Sequence, residues 1–370
     1  MARKIVRVGI AGQGRSGYDI HAYWLREAPR QFRIVAVADQ LPKRRGQAKR
    51  EFGCRTYKDY TELVADREID LFVNATPSNL HPKATICALK AGHHVVCEKP
   101  LAVKVRDFDA MVAAAKKAGR VLAPFQNSRF QTSFGKIQEV IASGVLGRVL
   151  HVRITCAGFS RRWDWQTRQE LWGGNLNNTG PHPTDHAVML FGPRAPKVFC
   201  RMESEVGSFG DADDFCALTL YGPGSPTVEV LVSSYQAYAV ADPYVVNGTR
   251  GSLAGGGGGL RWKVYDPAKA PRRALMTGWS HDRQYCHEPL PWREQTWKPP
   301  RTKYTGFQLL SQRFYNNVYD VLTGRGELVV TPAQVRRQIA VIEECHRQNR
   351  LPKLAKKQAR GRNARGKPRR

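Results

Sequence analysis

Apolar residues in the first third of the chain come in short runs separated by stretches of helical periodicity. Arg7–Val8–Gly9–Ile10–Ala11 is a short apolar strand, and the segment YDIHAYWLREAP puts Ile20, Tyr23, Trp24 and Glu27 at helical spacing. FRIVAVAD, ending at Asp39, reads as a second strand, AKREFG as a short helix and IDLFVNAT (69–76) as a buried strand. Pro82–Gly92 reads as a helix with proline in its first turn and glycine past its end. HHVVCEKP (93–100) is another strand, FDAMVAAAKKAG (108–119) a helix, and VLAPFQNSRF (121–130) a strand and its exit. Strand–helix alternation with right-handed crossovers predicts a doubly wound parallel sheet.

After a helix over roughly 134–143 the period drops to two. In LHVRITC, Leu150, Val152, Ile154 and Cys156 alternate with His151, Arg153 and Thr155. KVFCRMESE, DFCALTLYG, TVEVLVSSY and YVVNGTRGSL are further strand-like runs with no helices between them. They predict a mostly antiparallel open sheet with one covered face, the other face being a candidate oligomer interface. GGGGG (255–259) reads as a flexible turn between strands, and 265–305, rich in Pro, Trp, Arg and Lys, as a long irregular excursion. Thr331–Pro332 opens a last helix with Val335, Ile339 and Ile342 on one face.

Length and composition bound this picture. A chain of 370 residues fits two domains, and 42% hydrophobic with 24% charged is an ordinary globular mixture. No apolar run reaches the roughly 18 residues of a membrane span, and MARKIVRVGIAGQG carries no signal-peptide pattern, so a cytoplasmic location is expected. Eight scattered cysteines without C-x-x-C or paired histidine spacing argue against a zinc site and a disulfide framework; no metal is expected. Lys and Arg exceed Asp and Glu by 59 to 31, giving +28, and the stretch 350–370 holds ten of the bases and no acid. That tail reads as disordered. A solubilising role is preferred over docking to nucleic acid or another polyanion, because no nucleic-acid-binding motif accompanies it.

The candidate chemistry sits at the ends of the predicted strands. Gly12–Gln13–Gly14–Arg15–Ser16–Gly17 follows the first strand as G-x-G-x-x-G, a turn whose glycines let a pyrophosphate approach the backbone at a helix N-terminus. Asp39, 27 residues past Gly12, would accept from adenosine ribose hydroxyls and repel a 2′-phosphate. NAD is therefore favoured, with Lys43, Arg44 and Arg45 keeping NADP open. Other strand ends carry Thr76–Pro77–Ser78–Asn79–x–His81, Glu98–Lys99–Pro100 and Gln126–Asn127. The loop GGNLNNTGPHPTD (173–185) brings Asn177, Asn178, His182 and Asp185 together.

In combination, GIAGQGRSG, ATPSNLHPKATICALKAGHHVVCEKPLA, GGNLNNTGPHPTDHAVMLFG, GTRGSL and VVTPAQVRRQI resemble the glucose–fructose oxidoreductase/inositol dehydrogenase (Gfo/Idh/MocA) family over about residues 5–348. The resemblance implies α/β architecture: an NAD(P)-binding Rossmann domain at 1–126, a substrate-binding and oligomerising α/β domain at 127–350, and the basic tail at 351–370. It implies hydride transfer between a nicotinamide and a carbinol carbon of a sugar, cyclitol or related polyol. It also implies that Gly12, Gly14 and Gly17 hold the pyrophosphate, that Asp39 holds the ribose, and that Thr76, Asn79, His81, Glu98 and Asn127 line the nicotinamide half. Lys99 and His182 would be the catalytic pair, with Asp185 beside them.

That chemistry is coherent: an imidazole with an ordinary pKa of about 6.5 can take a hydroxyl proton, and an ammonium can stabilise the developing oxyanion. The family pattern is broken at Asn178, where an acid is usual; an amide carries no charge, and Asp185 is the candidate to supply it. Arg129, Trp163, Trp165 and Trp172 are substrate-side candidates, since indole faces pack on sugar rings and guanidinium groups bind hydroxyls or carboxylates. Alternatives are a glycoside-processing or epimerising enzyme that uses bound NAD transiently, and a non-catalytic ligand- or polyanion-binding protein.

Overall fold

The computed structural model describes residues 5–205, 209–279, 283 and 285–353. Six parallel strands, β1 (Val6–Ala11), β2 (Phe32–Ala38), β3 (Arg55–Tyr57), β4 (Leu71–Asn74), β5 (His94–Cys97) and β6 (Leu122–Pro124), form the first sheet in the order β3-β2-β1-β4-β5-β6. The order reverses between β1 and β4, so a crevice opens outside the carboxyl ends of these strands. Helices α1 (Tyr23–Glu27), α2 (Pro42–Phe52), α3 (Tyr60–Val64), α4 (His81–Lys90) and α5 (Val105–Ala118) make the crossovers. Strands such as LFVN and HVVC have almost no exposed positions, as a sheet covered on both faces requires.

After α6 (Thr132–Ala142) the second sheet is built from β7 (Val149–Ala157), β8 (Lys197–Glu203), β9 (Phe215–Tyr221), β10 (Thr227–Ser233), β11 (Tyr244–Gly248), β12 (Gly251–Gly256), β13 (Gly259–Tyr265) and β14 (Trp292–Trp297). Its order is β14-β13-β12-β11-β7-β10-β9-β8, antiparallel except for the β7–β10 pair. The inner face packs on α6 and α8 (Pro181–Phe191), which follows the one-turn helix α7 (Asn175–Asn178).

The chain then returns. In α9 (Gly306–Leu322), Phe314, Tyr315, Val318 and Tyr319 are buried in the core of the first sheet with Phe32 and Phe125. Helix α10 (Pro332–Gln348), started by a Thr331–Gln334 capping box, straddles both cores. Its Val335 and Ile339 lie among side chains of the first sheet, while Val341, Ile342 and Cys345 lie under the second.

Several expectations need correction. The helix after the glycine loop opens as a π-turn over Ser16–Ala22, and α2 starts at Pro42, so Lys43, Arg44 and Arg45 occupy its first turn. YVVNGTRGSL is two strands of a hairpin, β11 and β12. Only 257–258 of the glycine run turn; Gly255 lies in β12, where a Cβ would stand 2.3 Å from the Gly259 carbonyl oxygen. The excursion contains β14, which pairs with β13. Of the predicted tail, Leu351 packs on the second core and the Pro352 carbonyl accepts from Gln169; 354–370 lie outside the described residues. All eight cysteines are unpaired, and among the described residues no helix is long and apolar enough to cross a membrane.

Candidate active site

The glycine turn stands at the reversal of strand order. Gly12 has φ +93°, and a Cβ there would lie 2.2 Å from the Ala75 carbonyl oxygen at the end of β4; one at Gly17 would lie 1.9 Å from the Gly12 carbonyl oxygen. Both glycines are therefore required by close backbone packing. Gly14 differs, because the nearest atom to a Cβ would be an Arg44 nitrogen 4.0 Å away. The space above it is free for a phosphate, and no side chain caps the π-turn whose first N–H groups lack intrahelical acceptors. Gln13 Oε1 and Asn79 Oδ1, in the loops after β1 and β4, are buried without a hydrogen-bond partner among the described residues. Open space at Gly14 and two orphan acceptors beside the crevice fit a nucleotide that brings phosphate and donor groups.

Asp39 ends β2. Its carboxylate accepts from the N–H groups of Gln13 and Leu41, each at 2.8 Å, and Arg44 approaches it at 3.4 Å. Arg45 donates to the Asp39 and Gln40 carbonyls, and Lys43 is exposed. Thr76 donates to Asn74, Pro77 is exposed, and His81 is 2% exposed. Both His81 ring nitrogens face main-chain oxygens, Pro100 at 2.7 Å and Thr76 at 2.9 Å. His81 thus ties the loop after β4 to the turn after β5 through both of its ring nitrogens.

Glu98 is buried, and its oxygens take His21 Nε2 at 3.1 Å and the Lys99 N–H at 3.0 Å. Burial would raise its carboxyl, but the hydrogen bond and charge of His21, with Lys99 and His81, hold it at about 2. His21 is in turn bonded to Tyr315 of α9 at 2.7 Å, so the π-turn, β5 and α9 meet behind Lys99.

Lys99 Nζ donates to the Asn178 carbonyl oxygen at 2.6 Å and to its Oδ1 at 3.4 Å. Burial lowers the Lys99 ammonium from its ordinary value; Glu98 opposes this, while Arg15 and Arg162 add to it. His182, in the first turn of α8, is close enough to Lys99 to feel its charge, and its Nδ1 meets Ser128 Oγ at 3.1 Å. Burial and Lys99 together push the imidazole down to about 3. The α8 start is held by Gln126 and Gln338, which both donate to the Pro181 carbonyl. Asn127 is buried beside Ser128 in the same short turn, and Asn177 accepts from His346.

Asp185 does not supply the charge missing at 178. Both its oxygens are held by Arg129, at 2.5 and 2.8 Å, in a pair that is almost fully buried. Arg129 also reaches Gln334, so it is a brace between α8 and α10 rather than a substrate ligand. Burial pushes the Asp185 carboxyl up, against the pull of Arg129. Trp163 and Trp165 are exposed and Trp172 has a left-handed backbone. The side-chain hydrogen bonds that join their segment to Asn178 come from Gln166, which composition and motif gave no reason to single out.

Two family models match the chain. Residues 6–126 match the oxidoreductase family with an NAD-binding Rossmann fold (GFO/IDH/MocA), and 134–254 match the GFO/IDH/MocA C-terminal domain. The chain belongs to the GFO/IDH/MocA family. It is an NAD(P)-binding oxidoreductase of that family, with the glycine turn at the head of its Rossmann sheet. An uncharacterized oxidoreductase of Schizosaccharomyces pombe is 27% identical over 361 residues, 92% of this chain and 96% of that one. Myo-inositol 2-dehydrogenase of Thermotoga maritima is 30% identical over 225 residues, 60% of this chain and 66% of the relative. The WlbA dehydrogenase of Bordetella pertussis, solved with NADH and UDP-GlcNAcA, shares the fold, with TM-score 0.73 and 21% identity over 95% of this chain and 99% of that one.

Proposed function

We propose that this GFO/IDH/MocA protein oxidises a carbinol carbon of a sugar, cyclitol or related polyol, with NAD as hydride acceptor. The observation that carries the proposal is an ammonium and an imidazole near enough for the charge of one to act on the other: Lys99 is anchored on the end of α7, and His182 is held by Ser128 at the start of α8. When bound, the nicotinamide supplies the hydride acceptor. His182, its Nδ1 occupied by Ser128, has Nε2 left to take the hydroxyl proton. Lys99 donates to the same oxygen as negative charge develops on it. Gly12, Gly14 and Gly17 shape the pyrophosphate cradle and Asp39 meets the adenosine ribose, which favours NAD over NADP. A myo-inositol dehydrogenase among the relatives supports the polyol class. Residence in the cytoplasm and self-association through the uncovered face of the second sheet belong to the same proposal.

The test is binding of NAD and NADP to the purified protein, with a sugar and polyol panel followed at the nicotinamide absorbance. NAD binding and NADH accumulation with at least one polyol are expected. Failure of both nucleotides to bind overturns the proposal. Turnover without net NADH would instead favour transient use of the cofactor.

A further inference from the structure

The segment ahead of the 178 loop hydrogen-bonds to Asn178 through the side chain of Gln166. Gln166 lies in a short turn over Trp165–Thr167, and its amide pairs reciprocally with that of Asn178. Gln166 Nε2 donates to Asn178 Oδ1 at 2.9 Å, and Asn178 Nδ2 donates to Gln166 Oε1 at 3.1 Å. Gln166 Oε1 also accepts from Arg162, which pairs with Asp164 at 2.5 Å. Two amides can satisfy each other in this way; an amide and a carboxylate cannot, because one oxygen would be left facing another. The Asn178 residue so fixed is the one whose carbonyl oxygen takes the Lys99 ammonium.

We infer that Gln166 is a positioning residue for Lys99, acting through the reciprocal amide pair with Asn178, and that this pair replaces a charged acid as the device that aims the ammonium. The inference rests on Lys99 being the group that meets the reacting oxygen. A charge-assisted bond to a fixed carbonyl is stronger than one to a mobile carbonyl, since the ordering has been done in advance. Among the described residues Gln166 makes no hydrogen bond to Lys99, His182 or the glycine turn. It sets where Asn178 stands, and Asn178 sets where the ammonium stands.

The reactivity of Lys99 itself reads this out without any substrate. Trace acetic anhydride labels lysines in their neutral form, and the Lys99 peptide is quantified by mass spectrometry across a pH series in the full chain. Gln166→Ala releases the Asn178 amide and is expected to quicken Lys99 labelling about tenfold at fixed pH. Gln166→Glu, which keeps the volume but adds a negative charge between Arg162 and Asn178, is expected to move the labelling midpoint upward by about one pH unit. In an Asn178→Ala background, Gln166→Ala should add nothing, because the route through 178 is already cut. Labelling of Gln166→Ala within about twofold of wild type at every pH would overturn the inference, as would additive effects of the two alanine substitutions. Should Gln166→Ala melt before labelling, Gln166→Met, which removes the amide at nearly the same volume and adds no charge, decides by the same tenfold and twofold criteria. In parallel, myo-inositol oxidation with NAD should lose kcat in Gln166→Ala with KM for NAD unchanged. Wild-type protein inert toward every polyol would overturn the substrate class alone and leave the labelling result standing.

Discussion

At the scale of single residues, the two proposed catalytic groups are tuned in one direction. The imidazole of His182 is pushed down to about 3, so a base is present, unprotonated, at every pH well above that. The Lys99 ammonium is also lowered, so the donor is lost on the alkaline side earlier than its ordinary 10.5. The expected kcat/KM profile therefore lacks the usual histidine step near pH 6.5 and bends downward below the ordinary lysine range, measurable with saturating NAD. An acidic limb near 6.5 that disappears in His182→Gln would contradict this. Asn178→Asp is expected to give no gain in turnover, because a carboxylate loses its bond to Gln166 Oε1; a large gain would mean the amide is a defect. That Lys99 follows a strand and His182 opens a helix was legible from the apolar run before the one and the glycine–proline turn before the other. Asp185 and Arg129 were misjudged because nothing in a linear spacing says which buried acid meets which base. Gln166 and Ser128 act by hydrogen bonds across 12 and 54 residues, which leave no local pattern.

Elements carry a second set of consequences. In the glycine turn, Gly17→Ala forces a Cβ against the Gly12 carbonyl and is expected to lower Tm, whereas at Gly14→Ala the added methyl comes no closer than 4.0 Å to any atom, an Arg44 nitrogen. Gly14→Ala should melt like wild type yet bind NAD at least about tenfold more weakly, as calorimetry would show, because the added methyl occupies space left for phosphate. Equal binding by both proteins would remove Gly14 from the cradle. At the foot of α8, removing one partner of the Arg129–Asp185 pair leaves a buried charge, so Arg129→Ala is expected to cost about 3–5 kcal/mol in denaturant unfolding. Elements with strong period or punctuation, such as α5 and β10, were legible from the sequence. Those without it were not: β3 and α3 are only three and five residues long, and α9 interleaves its apolar positions with Gln, Arg and Asn. Strand β14, with the sequence WREQTW, is almost wholly exposed and had no buried face to betray it.

For the molecule as a whole, the second sheet leaves one broad face uncovered by its own helices. Phe199 is 63% exposed there, on the same face as Tyr221 and Leu231, with Arg153 and Glu229 among them. Self-association through this face predicts that Phe199→Asp lowers the mass seen by sedimentation without altering NAD binding. A wild-type protein that sediments as a monomer would exclude it. The path of the chain has a temporal side as well. The first sheet ends at residue 124, but Phe314, Tyr315, Val318 and Tyr319 are part of its core. At a ribosome's rate of roughly 5–20 residues per second, those side chains are made some 10–40 s after the last strand they cover. The nucleotide-binding half must therefore wait, with an apolar flank open, until α9 has been made. Nascent chains stalled before α9 should therefore recruit chaperones or bind a hydrophobic dye, and lose both once α9 has cleared the exit tunnel.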